Sequence, residues 1–183
     1  YNMKEFIYNE MMVHVPLCTH KEPKNILIIS NNASNLENEV KKHIDISSNS
    51  IACSLDEVSK LEDNKYDVVV SEMEGDSLFI SQINRVLNDD GVLVIKHPNL
   101  DKIEENKSLI TNLGNYFKII MPYNIGEGST ALLCSKTYHP TADIILQRSD
   151  MLDNLEYYNC DIHPAAFAMG NNVRKTYLGI IKN

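Results

Sequence analysis

Three short runs in this chain, Asn25 to Ile29, Tyr66 to Val70 and Gly91 to Ile95, are apolar and largely β-branched from end to end. A strand wetted on one face alternates polar with apolar residues; these do not, so they read as central strands of a parallel sheet covered by helices on both sides. Helical patterns fall between them, Asn35 to Lys42 and Leu78 to Leu87, the second with Leu78, Ile83, Val86 and Leu87 on one side. Strand, helix, strand, helix, strand implies right-handed crossovers and an α/β fold. Asn88-Asp89-Asp90-Gly91 signals a turn into the third strand. Downstream, Asp101 to Leu113 reads as a helix stopped by Gly114. Tyr116 to Met121 and Ala131 to Lys136 read as strands joined through Pro122 to Gly128, an antiparallel hairpin at the sheet edge. The last forty residues read as a loop, a short helix near Asp150 to Leu155 and a final helix near Asn171 to Ile181.

The first strand runs into Ser30-Asn31-Asn32-Ala33-Ser34-Asn35 and then a helix. Strand, tight loop, helix is where nucleotide-binding α/β proteins hold phosphate or ribose, and this loop has no glycine. The stretch from His43 to Tyr66 is also unusual. Asp45 to Ala52 reads as two short strands with no helix between them, whereas a parallel crossover needs a dozen or more residues. The sheet is expected to have lost a βα unit here, or the chain to lack residues near 46–50.

Seventeen basic and twenty-five acidic residues give a net charge of −8, which disfavours nucleic acid and anionic membrane as partners. Cys18, Cys53, Cys134 and Cys160 are far apart and form no C-x-x-C pair, which fits a reducing cytoplasm better than a disulfide framework. No histidine pair has metal-ligand spacing, and no metal is expected. No apolar run approaches a membrane span. Beginning at Tyr1, the chain reads as a trimmed version of a longer protein.

Phe6-Ile7-Tyr8-Asn9-Glu10-Met11, followed by Val13-His14-Val15-Pro16-Leu17, resembles the segment leading into the nucleotide-binding domain of spermidine synthases, the polyamine aminopropyltransferases. Tyr157-Tyr158-Asn159-Cys160-Asp161-Ile162-His163-Pro164-Ala165-Ala166-Phe167 is similar to that family's C-terminal motif, with Pro164 in place of an arginine, and Leu132 to Lys136 resembles its penultimate strand. The resemblance implies a Rossmann-like, methyltransferase-type, mostly parallel sheet. It further implies one domain over residues 1–183, the family's small N-terminal β domain being absent from this chain. The reaction implied joins decarboxylated S-adenosylmethionine, a co-substrate rather than a prosthetic group, to putrescine, giving spermidine and methylthioadenosine. An alkyl ammonium has a pKa of about 10.4, so the attacking amine needs a carboxylate to take its proton. A homodimer is expected. A catalytically inactive or repurposed relative acting as a binding module is the alternative; the terminal motifs disfavour an ordinary methyltransferase.

By this resemblance Glu72, in Tyr66-Asp67-Val68-Val69-Val70-Ser71-Glu72-Met73-Glu74-Gly75-Asp76, stands for the family's catalytic aspartate. Gly75 replaces the substrate-binding one, so Glu74 or Asp76 is left to bind the diamine. The same acids also read as a solvated loop capping the next helix. Tyr8, Asn9 and Tyr123 match the diamine pocket, although a buried tyrosine with a satisfied hydroxyl is an equal reading of either ring. The nucleoside side falls to Ser30, Asn31 and Asn32, with Ala33 where the family has an acid, to Glu39, which an ordinary helix-surface ion pair explains as well, and to Ser54 and Leu55. Asp45 is the nearest candidate for the ribose-binding acid. His14 is expected to pack under a helix, His163 to serve as a structural hydrogen-bonding residue and His97 to lie in a loop near the crevice.

Overall fold

The computed structural model describes residues 4–183. It contains one six-stranded sheet in the order β2-β1-β3-β4-β6-β5. β1 (Asn25–Ile29), β2 (Ser47–Ile51), β3 (Tyr66–Ser71) and β4 (Leu87–Ile95) are mutually parallel, and β6 (Ser129–Ser135) runs antiparallel to both β4 and β5 (Ile119–Gly126). This is the mixed α/β sheet with a C-terminal hairpin expected from the sequence. The three apolar runs occupy its centre because each is buried on both sides. Ile26, Ile28, Val68, Val70, Val92 and Val94 face one core, while Leu27, Ile29, Val69, Leu93 and Ile95 face the other. The strand period of two deals alternate residues to opposite layers.

The second layer is built by α3 (Leu55–Ser59), α4 (Ser77–Val86), α5 (Ile103–Leu113) and the C-terminal α8 (Asn171–Thr176). The first is built by α1 (Glu5–Thr19), α2 (Ser34–Val40) and the segment after β6, which contains α6 (Leu146–Asp150) and α7 (Ile162–Ala165). Several boundaries move. Leu87 to Asp90 belong to β4, but Tyr66 pairs with Leu87 and Val68 with Val92, so Asn88 to Gly91 bulge out against a single residue of β3. β5 continues through Pro122 and Tyr123, leaving Glu127 and Gly128 at the hairpin tip, both with positive φ. The short helix lies at 146–150 instead of 150–155, and α8 ends at Thr176.

The unusual stretch after His43 has one strand, not two. β2 pairs in parallel with β1 from Ser47 to Ile51, and its polar sequence follows from its place at the sheet edge, half exposed. The connection from β2 to β3, residues 52–65, holds the five-residue α3, enough for a minimal crossover.

α1 was not evident in the sequence. From Glu10 to Thr19 every residue is buried, so no amphipathic stripe marks it, and Pro16 lies inside it. The Arg148 guanidinium donates to the Leu17, His20 and Lys21 carbonyls (2.6–2.7 Å), satisfying the helix's C-terminal end.

The two terminal motifs meet here. Glu10, 1% exposed, accepts from the backbone N–H groups of Glu156, Tyr157 and Tyr158 at 2.7–2.9 Å. His163 is fully buried; its Nε2 donates to the Pro140 carbonyl (2.8 Å), so its Nδ1 accepts from the Tyr158 hydroxyl (2.7 Å). Burial pushes His163 down to about 4. The unfolded chain, with a histidine near 6.5, binds the proton that the folded one refuses, so stability is full above pH 6.5 and falls as pH drops toward 4. Urea denaturation should therefore show the native chain losing about 2 kcal/mol more between pH 7 and pH 5 than a His163→Gln variant.

Candidate active site

Three consecutive strands of the sheet end in a row of polar side chains. Backbone bonds Ser30 N–H to Ile51 O, Glu72 N–H to Ile29 O and Lys96 N–H to Ser71 O continue the parallel ladders by one residue. They set Ser30, Glu72 and Lys96 side by side just past the carboxyl ends of β1, β3 and β4, the position where open α/β sheets bind ligands. Glu72 is the hub. Tyr8, from α1, donates its hydroxyl to Oε2 at 2.5 Å, Ser30 Oγ donates to Oε1, and Lys96 Nζ lies 3.6 Å from Oε2. Lys96 also sits 5.0 Å from the centre of the Tyr8 ring. Burial, then the bond to Glu72 and its negative charge, raise Tyr8 far above the ordinary phenol range, so it is a fixed donor.

Beside this row opens a cavity of about 440 Å³, lined among others by Tyr8, Glu74, Lys96 and His97 and by Glu5, Lys4 and Glu127, the last two paired at 3.8 Å. His97 is buried; its Nδ1 meets Asn106 Oδ1 and its Nε2 meets Thr130 Oγ1, both at 2.8 Å. Asn106 uses its amide nitrogen on the carbonyls of Pro98, Asn99 and Lys102. Its oxygen therefore accepts from His97 Nδ1, and Nε2 accepts from the threonine. Burial lowers His97, which agrees with a neutral ring. It forms a wall of the cavity and shapes it.

The other predicted residues separate into those that join this row and those the fold uses elsewhere. Glu74 is exposed and lines the cavity; Asn9, half-buried on α1, does not line it. Asp76 caps α4, accepting from Phe79 N–H at 3.0 Å, so its carboxylate is committed to the helix. Tyr123 is fully buried, donates to the Met11 carbonyl (3.0 Å) and stacks on Phe167, which makes it a core residue and not a pocket one. Glu39 bonds His14 Nε2 (2.8 Å) and Lys42 (2.8 Å), tying α2 to α1. His14 Nδ1 meets His43 at 2.9 Å, and burial holds His43 down at about 3.

Loop 30–35 turns its side chains on its own neighbours. Ser30 accepts from Asn32 N–H while donating to Glu72, and Asn31 Oδ1 accepts from Cys53 N–H (2.9 Å), bridging the ends of β1 and β2. Ser54 precedes α3, and Leu55 packs against the second core. Asp45 lies before β2, at the amino-terminal end of the sheet, in a left-handed turn (φ 61°), and cannot reach a ribose at the carboxyl ends. It lines a larger depression of about 580 Å³ on that opposite side, remote from Glu72. At the carboxyl end of β2 stand Ile51, Ala52 and Cys53, with no acid among them.

Lys96 was missed in the sequence, although the rule that drew attention to His97, a residue just after a central strand, applies to it equally. His20, Asp67 and Asp90 bring three ligand-type atoms within 4.8 Å of one another. His20 Nδ1 accepts from Glu22 N–H, so its proton is on Nε2, facing Asp90 at 3.2 Å, and Asp67 is filled by Lys24, Asn25 and Asn88. These donors suit a polar cluster better than a cation.

A mostly parallel sheet closed by an antiparallel hairpin, with its crevice at the carboxyl ends of the strands, defines the Rossmann-like fold class that methyltransferases share. Human methyltransferase-like protein 13 shares this fold at a TM-score of 0.55, 15% identity, over 82% of this chain and 89% of its own. The crystal structure of spermidine synthase from Thermotoga maritima superimposes at a TM-score of 0.83, 24% identity, over 97% of this chain and 75% of its own. A sequence model of the spermine/spermidine synthase domain matches residues 5–60. The polyamine aminopropyltransferase of Helicobacter acinonychis (strain Sheeba) is 30% identical over 212 aligned positions, 98% of this chain and 80% of the relative. The chain belongs to the polyamine aminopropyltransferases, a family of transferases. Those 212 positions against 183 residues leave the relative roughly 30 positions longer within the same span, about the size of one βα unit. No helix among the described residues is long and apolar enough to cross a membrane.

Proposed function

We propose that the chain transfers the aminopropyl group of decarboxylated S-adenosylmethionine to putrescine, yielding spermidine and methylthioadenosine. The observation that carries this reading is the Tyr8–Glu72 pair just past β3, whose tyrosine also lines a cavity bearing Glu5, Glu74 and Glu127 with Lys4 and Lys96. Glu72 accepts the proton of the attacking amine, Tyr8 holds that carboxylate in place, and Glu74 offers a second anion to the far ammonium. Backbone of Ser30 to Asn32, with Ser54 and Leu55, flanks the nucleoside. A cytoplasmic homodimer belongs to the same reading. Mass spectrometry of a reaction holding the protein, putrescine and the sulfonium donor tests it: spermidine and methylthioadenosine should rise together, and their absence ends the reading.

A binding module without turnover is the second reading, and one observation favours it. Both Glu72 oxygens are engaged by the chain's own groups, while Asn31 bridges β1 and β2 where a glycine-free loop already crowds the nucleoside side.

A further inference from the structure

A carboxylate and an aromatic face converging on one point are the recognition elements for an alkyl ammonium. Here that point is taken. Lys96 Nζ lies 3.6 Å from Glu72 Oε2 and 5.0 Å from the Tyr8 ring centre. Its side chain is a four-carbon stem ending in a primary ammonium, the chemistry of one half of a 1,4-diamine. With 40% of its side-chain surface exposed, it has solvent to move into when displaced. Glu5 and Glu74 line the same cavity and give a displaced lysine other carboxylates to approach, while Glu127 there is paired with Lys4 at 3.8 Å.

We propose that Lys96 is a built-in occupant of the amine subsite, an internal competitor that a primary ammonium ligand must displace from Glu72 and Tyr8 in order to bind. This rests on the reading of Glu72 and Tyr8 as the amine seat. It makes Lys96 a determinant of amine affinity, and leaves the choice between monoamine and diamine to Glu74. A monoamine exchanges one cation for another, whereas a diamine adds a second ammonium to meet Glu74. A competitor that fills the seat nine-tenths of the time weakens the apparent affinity of any amine about tenfold.

Calorimetric titration of the full chain with putrescine, n-butylamine and n-butanol tests the assignment in the native protein, in Lys96→Met, in Lys96→Arg and in Lys96→Met combined with Glu72→Gln. Lys96→Met should bind both amines about tenfold more tightly than the native chain. Lys96→Arg, still cationic, should stay near the native value. The double variant should lose the gain, and the alcohol should gain nothing. An amine affinity for Lys96→Met within twofold of native, an equal gain with n-butanol or with Lys96→Arg, or no amine binding by any variant overturns the proposal. Product analysis separates the two claims. A tenfold amine gain without spermidine removes the transfer reading and leaves Lys96 as competitor; turnover with unchanged amine affinity does the reverse.

Discussion

Glu10→Ala should destabilise the fold by about 3–5 kcal/mol, a large share of the roughly 5–15 kcal/mol that holds a typical domain together. The side chain is a buried carboxylate whose two oxygens take three backbone N–H groups, from Glu156, Tyr157 and Tyr158. Alanine leaves those donors without acceptors and opens a space under α1. Glutamine is not a remedy. Whichever way its amide is turned, an NH2 replaces one carboxylate oxygen and faces a backbone N–H. Urea denaturation at pH 7 is the measurement, with Glu5→Gln on the exposed first turn as a control expected to stay within about 0.5 kcal/mol of native. A loss below 1 kcal/mol for Glu10→Ala would show that water or relaxation satisfies residues 156–158 and would demote this contact.

Glu72→Gln should lower turnover by about 10² to 10⁴ while the chain remains folded. The amide can keep one contact with Tyr8 or Ser30, but it takes no proton from an amine. Glu72→Asp keeps the acid and withdraws it by a methylene from a hydroxyl now 2.5 Å away, so an intermediate loss is expected. Steady-state kinetics on intact protein with the sulfonium donor and putrescine give both numbers. Equal turnover in native protein and Glu72→Gln would move the base elsewhere in the cavity, where Glu74 is the next acid.

How far these contacts were legible varies with their physical origin. β1 is legible to the residue and the cores of β3 and β4 are clear, because strands buried on both faces must be apolar throughout. β2 was obscured for the opposite reason: an edge strand of serine and asparagine carries no burial signal. α1 was hidden by being buried nearly all round and by containing Pro16. Within the site, Glu72 and Tyr8 came from matching a motif, and the fold brings them together. Tyr123 and Glu39 also match family positions and Asp76 stands beside one, yet their polar atoms are bonded within the scaffold. A sequence shows which residue type is present but not which of several nearby partners will claim it. Lys96 matched no motif, and its relation to Glu72 arises only when β3 and β4 become neighbours.

The clasp between Glu10 and residues 156–158 has a bearing on how the protein comes to be made. Tyr158 and Glu10 are 148 positions apart, so a chain growing from its amino end carries the Glu10 carboxylate without these partners until residues 156–158 have been synthesised. Contacts of such long range form slowly, and the apolar flank of α1, Met11 to Leu17, can meanwhile pack on the central strands and α2 but lacks Tyr158, Ala166 and Phe167. The central strands can pair earlier. The last step of assembly is then the closing of a buckle by the segment that follows the sheet, and a ribosome that stalls before residue 156 leaves a nascent chain with that buckle undone.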